Sequence, residues 1–170
     1  MANTPILSLP VAASLDGTEY TIVVQGGVDK RATVQKAANT LLNVVPGAIE
    51  YVIDGGNIAI GPGMKGFIAV PFNATITSAS VFGDRVGSTT IDIWRCSFAN
   101  FDGFITHPSV TDSIVGLSPP VIVSGTKYQN TSLAGWTIGL TNGDILAFNV
   151  GSTTAFQKLT IVLSVSRILQ

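Results

Sequence analysis

The run from Leu159 to Ser166 alternates, with Leu159, Ile161, Leu163 and Val165 on one side and Thr160, Val162, Ser164 and Ser166 on the other. A period of two is the mark of a β-strand with one buried face. In Ile91-Asp92-Ile93-Trp94-Arg95 the isoleucines share a side with Arg95, and Asp92 shares the other with Trp94. Both sides carry bulk, so this strand has a second surface to cover. Further strands are predicted at 49–53, 58–60, 66–70, 75–82, 88–95, 121–123, 131–133, 136–137 and 145–150, separated by Gly, Pro, Asn and Asp turns. Asp54-Gly55-Gly56-Asn57 reads as a tight hairpin turn between the first two, because Gly and Asn accept positive φ angles. About eight or more antiparallel strands in about 120 residues predict a mainly β fold, a jelly-roll-like β-sandwich of two sheets, with an open barrel as the weaker option.

The first 45 residues read differently. Ile6-Leu7-Ser8-Leu9 and Thr18–Gln25 form two short strands around the Asp16-Gly17 turn, and Gly26-Gly27 closes the second. Thr33 then caps a short helix whose apolar positions Val34, Ala37, Ala38, Leu41 and Leu42 recur every three to four residues; Asn43 through Gly47, with Pro46, end it. The chain thus divides into a β and short-helix module, residues 1–45, and a sandwich domain, residues 48–170.

Composition changes the picture in one respect. Nine Lys and Arg and ten Asp and Glu are the only charges among 170 residues, and mean hydropathy is +0.47. Ordinary soluble domains charge about a quarter of their residues, so the sandwich is expected to hide apolar surface against copies of itself or a larger assembly. The longest charge-free stretch, Gly66 to Gly83, is interrupted by Pro71, Asn73, Thr75, Thr77 and Ser78, so no membrane insertion is expected. A net charge of −1 without a basic stripe argues against nucleic acid as a partner. The amino terminus has no signal-peptide pattern, so synthesis and assembly in a cytoplasm are expected.

Catalytic chemistry finds little support. His107, the single histidine, is paired on paper with Asp102 or Asp112 and a serine, but no Gly-x-Ser-x-Gly elbow accompanies it. Asp84, Asp92, Asp102, Asp112 and Asp144 are candidates for paired carboxylates only by being present. The lone Cys96 reads as packing, and no cofactor or metal site is expected. Surface recognition is the better candidate. The stretch from Phe98 to Pro120 has no clean strand, and Asn100, Phe101, Asp102, Phe104 and His107 offer rings and polar groups suited to a sugar face. The rival reading has Phe101 and Phe104 tucked beneath the loop to pin it. Trp94 and Trp136 are divided in the same way, with Trp136 read as core.

A resemblance adds to this. Leu9–Glu19 followed by Val23-Val24-Gln25-Gly26-Gly27-Val28-Asp29-Lys30-Arg31-Ala32-Thr33-Val34 resembles the small modules near the start of phage fibre and appendage proteins. Gly66–Phe72, Ile91–Trp94, Leu133–Trp136 and Asn142–Val150 are similar to a β-sandwich domain of phage virion proteins. The resemblance implies a homotrimeric fibre, spike or knob located in the virion. Its partners would be other copies of itself, other virion proteins through the amino-terminal module, and host cell-surface glycan. A purely architectural capsid-decorating or tail-adaptor protein is the alternative, and a small glycan hydrolase the third.

Overall fold

The computed structural model describes residues 19–34, 45–103 and 105–168. The chain divides into two compact units, residues 1–43 and 44–170.

In the first unit β1 (Tyr20–Gln25) and β2 (Val28–Thr33) form an antiparallel hairpin. Gly26 and Gly27 both have positive φ, 63° and 74°, the requirement of a two-residue turn whose twist matches its strands. Thr33 closes β2, and the Val34 N–H bonds to the Glu19 carbonyl at 2.7 Å. Thr33 is therefore the last strand residue, and Val34, directly after it, is helical, where the expected helix begins. The predicted strand at 6–9 and the body of the predicted helix, 35–42, lie outside the described residues.

The second unit is the mainly β, antiparallel, sandwich-like fold that the alternation predicts. Its strands are β3 (Val45–Asp54), β4 (Gly63–Ala69), β5 (Asn73–Ser97), β6 (Val121–Asn130), β7 (Gly139–Leu140), β8 (Asp144–Thr154) and β9 (Lys158–Ile168). They form one sheet of order β3-β9-β5-β8-β4, with β6 and β7 also on β5. Its two layers come from folding that sheet. β5, 25 residues long, pairs with β9 over Asn73–Gly83 and with β8 over Ser88–Ser97. β3 lies beyond β9, and β4 beyond β8. The two halves meet face to face: Tyr51 of β3 stacks on Phe148 of β8 with ring centroids 4.4 Å apart, although these strands are not bonded neighbours. Its hydroxyl donates to the Lys65 carbonyl of β4 at 2.9 Å.

The alternation decides which side chains fill the space between layers. Across the first layer, Tyr51, Ile161, Val81 and Tyr128 stand in register and point inward. Ile91, Ile93, Leu146, Phe148 and Val150 answer from the second, each fully buried. Full burial of one such side chain contributes about 1.5–3 kcal/mol.

The fold line runs where turns were predicted. Gly83 and Gly87 of β5 leave no room for a side chain, because the fully buried Phe156 ring covers both. The Asp84 carboxylate beside them accepts the N–H groups of Gln157 (3.0 Å) and Lys158 (3.1 Å) and pairs with Arg85 at 2.7 Å. What reads as a break between strands 75–82 and 88–95 is a bend inside one strand. The expected hairpin of 49–53 with 58–60 does not form: β3 pairs with β9, and the Ile60 N–H bonds to the Phe156 carbonyl at 2.8 Å. Asp54 to Asn57 is still a turn, with the Gly56 N–H on Asp54 Oδ1 at 2.9 Å. The connection delivers the buried Ile60 to the fold line. The segments 131–133 and 136–137 are likewise irregular; only Gly139–Leu140 pairs there, with β5.

Candidate functional site

Phe98 to Pro120 follows β5 and crosses the outer side of the second layer. Phe67, Ala147 and Trp94 form one register row there, and Ala69, Ile145 and Cys96 the next. Trp94, Cys96, Ile145 and Ala147 are buried, yet they stand apart from the inter-layer core. Their cover is the loop itself. Phe101 meets Phe67 edge-on, with centroids 4.9 Å apart and planes at 86°. Trp94 pairs with Ser113 as an isolated bridge, and the Ile114 N–H reaches the Ile93 carbonyl at 2.9 Å. The second surface expected for strand 91–95 is thus covered within the chain. Asp92 serves both sides of this seam: Trp94 Nε1 donates to it at 2.6 Å and Ser113 Oγ at 2.7 Å.

The loop is braced by its own polar groups. The Asp102 carboxylate accepts the N–H groups of Ile105 (2.9 Å), Thr106 (2.9 Å) and His107 (3.0 Å), together with the Thr106 hydroxyl. These bonds, the Thr106 hydroxyl first, hold its pKa far below the usual carboxylate range. His107, joined to Pro108 by a cis peptide bond, places Nδ1 3.0 Å from Asp112. The Asp112 hydrogen bond, then its charge, raises the His107 pKa. Burial pushes Asp112 upward, but the bonds from His107 and from the Ser109 N–H outweigh it and leave its pKa lowered. Ser109 and Asp112 also form a reciprocal cap on the turn Val110–Asp112.

Of the five residues expected to recognise a ligand, Asn100 is exposed at the end of the turn Phe98–Asn100. Phe101 pins the loop, as its rival reading had it. Asp102 and His107 are half-buried and engaged with their own loop. Phe104 lies outside the described residues. The side chains that protrude are apolar: Phe98, Ile105, Val110 and Leu117 are 75%, 84%, 67% and 102% exposed. Sequence reasoning singled out none of these four, because attention went to Phe101, Phe104 and the polar groups between them.

The hydrolytic set His107, Asp112 and serine can be inspected directly. The Ser109 hydroxyl bonds Thr111 at 2.8 Å and Asp112 at 3.3 Å, not the imidazole, so the hydrogen bond that activates a hydroxyl nucleophile is not made there. Burial, then the charges of Asp112, Asp102 and Asp144, raises the Cys96 pKa and keeps the thiol protonated. Trp136 is core, its Nε1 donating to the Ser118 carbonyl at 2.9 Å. Among the described residues no three His, Cys, Asp or Glu side chains gather as a metal ion requires, and no helix is long and apolar enough to cross a membrane. Comparison of the chain with known protein families, with curated proteins and with solved structures finds no match in any of the three.

Proposed function

We propose that this chain is a structural protein of a phage particle, a homotrimeric fibre, spike or knob that displays the sandwich and attaches through residues 1–45. One observation carries the reading: a loop braced by Asp102, Asp112 and His107 holds Phe98, Ile105, Val110 and Leu117 out to solvent. Apolar groups fixed in advance lose little further entropy on contact, which is what a docking surface needs. Phe98 with Asn100 offers a ring and an amide to a sugar face on the host cell. Three copies would convert weak contacts into avidity. In the first unit Tyr20, Ile22 and Val24 form an exposed apolar row on β1 that suits a neighbouring virion protein.

A second reading, the architectural part that never meets the host, is favoured by Val52, Ile58 and Val86, which are exposed away from the loop. Antibody labelling of intact particles tests the shared claim. The purified protein should retain susceptible cells, and Phe98→Ser with Asn100→Ala should abolish retention at unchanged melting temperature. Co-assembly with virion proteins without cell retention selects the architectural reading. Labelled particles without signal overturn both, and release of sugar from host glycan would restore the hydrolase.

A further inference from the structure

The outward face of the first layer is nearly free of charge. Its rows run Ala48–Ser164–Ser78, Glu50–Val162–Ser80–Gln129 and Val52–Thr160–Phe82–Lys127, from edge strand β3 to edge strand β6, and the ion pair Asp54–Lys158 closes it at one end. Val52 and Phe82 are 58% and 48% exposed. A cleft of about 380 Å³ opens at the β6 side, lined by Ser80, Phe82, Lys127, Tyr128 and Gln129.

Two of its charges, Glu50 and Lys127, differ from every other charge of the unit, the Asp54–Lys158 row on the same face included. Asp54 pairs with Lys158, Asp84 with Arg85, Arg95 with Asp144, and His107 with Asp112. Lys65 bonds a carbonyl, Asp92 and Asp102 hold side-chain and backbone donors, and Arg167 lies over the Phe72 ring. Among the described residues of this unit only Glu50 and Lys127 have no such partner. They are opposite in sign and stand on opposite edges of one face, so a single chain cannot bring them together.

We infer that the occupant of this face is a second copy of the chain, with Glu50 of one protomer against Lys127 of the next and Val52 seated in the cleft beside Phe82. Contact between the two edges of one face repeats under rotation and satisfies both charges of every protomer. The inference deepens the trimeric reading above, on which it rests for the number of copies. Flanked by Val, Phe and the stems of Gln129 and Lys127, such a pair is desolvated, and it selects the partner's orientation.

Charge exchange in the full chain is the test, read by light scattering over a dilution series. Glu50→Lys and Lys127→Glu should each raise the concentration at which the assembly half-dissociates by about tenfold or more. The double exchange should restore it to within about threefold. Circular dichroism confirms that each exposed-site variant folds, and Phe82→Asp, which leaves both charges in place, should also dissociate the assembly. If the wild type assembles and no exchange alters it, this interface is wrong and the trimeric reading survives. A charge-sensitive dimer keeps the interface and overturns three-fold order. A wild-type monomer at every concentration overturns both.

Discussion

Phe156 sits at the fold line with no exposed surface, and its ring lies over the two glycines that let β5 bend. Phe156→Ala removes the ring and leaves a cavity, which costs about 3–5 kcal/mol. At about 2–4 °C per kcal/mol for a chain of this size, the melting temperature should fall by roughly 6–20 °C. A Cβ at Gly83 would overlap the ring, lying 2.5 Å from Cδ1 and 3.0 Å from Cζ, so Gly83→Ala overpacks the same space and costs about 1–3 kcal/mol or more. The two defects are complementary, because the cavity left by one accepts the methyl group of the other. In a urea-unfolding cycle the double variant should be more stable than the sum of the singles predicts, by about 1–2 kcal/mol. Gly87→Ala is the control: its Cβ would also run into the Thr154 carbonyl oxygen, which no change at Phe156 can relieve. Strict additivity at Gly83, or equal rescue of Gly87→Ala, would refute the claim that the Phe156 ring sets the bend.

Acid should open the same corner. Burial raises the Asp84 pKa, but bonds from Arg85, Lys158 and Gln157 outweigh this and bring it from 3.8 to about 2. Its stabilising contribution is therefore complete above pH 3.8 and lost as pH falls toward 2. Asp84→Asn should flatten that part of the melting-temperature profile, and an unchanged profile would contradict the assignment. His107 behaves in the opposite sense, because its pKa is raised above 6.5: the bond to Asp112 stabilises the loop fully below 6.5 and fades as pH climbs through the raised value. An NMR titration of this single histidine should show its midpoint falling in Asp112→Asn, and the same midpoint in both proteins would dismiss the pair. Asp92→Ala strips Trp94 Nε1 and Ser113 Oγ of their acceptor and should cost about 1–3 kcal/mol. Trp94 emission should move to longer wavelength as the loop loosens; unchanged emission would mean that the seam is held by other contacts.

Much of this fold is legible in the chain because burial in a sheet repeats every two residues. Leu159, Ile161, Leu163 and Val165 needed only that period, and so did the two-sided bulk of Ile91 to Arg95. Long-range pairing leaves no such trace. Ile58-Ala59-Ile60 has the composition of a strand, but Ile60 is needed at the fold line, where it meets the Phe156 carbonyl. Gly83 to Gly87 carries every local sign of a turn; the ring that requires those glycines lies about seventy residues away in sequence. β2 was missed for another reason: Val28-Asp29-Lys30-Arg31-Ala32-Thr33 has no apolar face, and its pairing follows from the Gly26-Gly27 turn and the partner strand β1.

The loop from Phe98 to Pro120 was harder, and the reason is general. A loop of about twenty residues crossing a compact domain carries many backbone N–H groups that no strand satisfies, and a buried unpaired donor costs about 1–3 kcal/mol. Its own carboxylates are the nearest acceptors. Asp102 collects three of those N–H groups, and Asp112 takes the Ser109 N–H and the imidazole. Polar side chains that look available to a ligand are therefore claimed first by the backbone beside them. Phe101 is claimed in turn by Phe67, because the outward row of Ala147 and Trp94 needs a cover. What such a loop presents to a partner is the remainder. Here that remainder is the side chains of Phe98, Asn100, Ile105, Val110 and Leu117, which have no structural task in the brace, and the search for a ligand belongs with them.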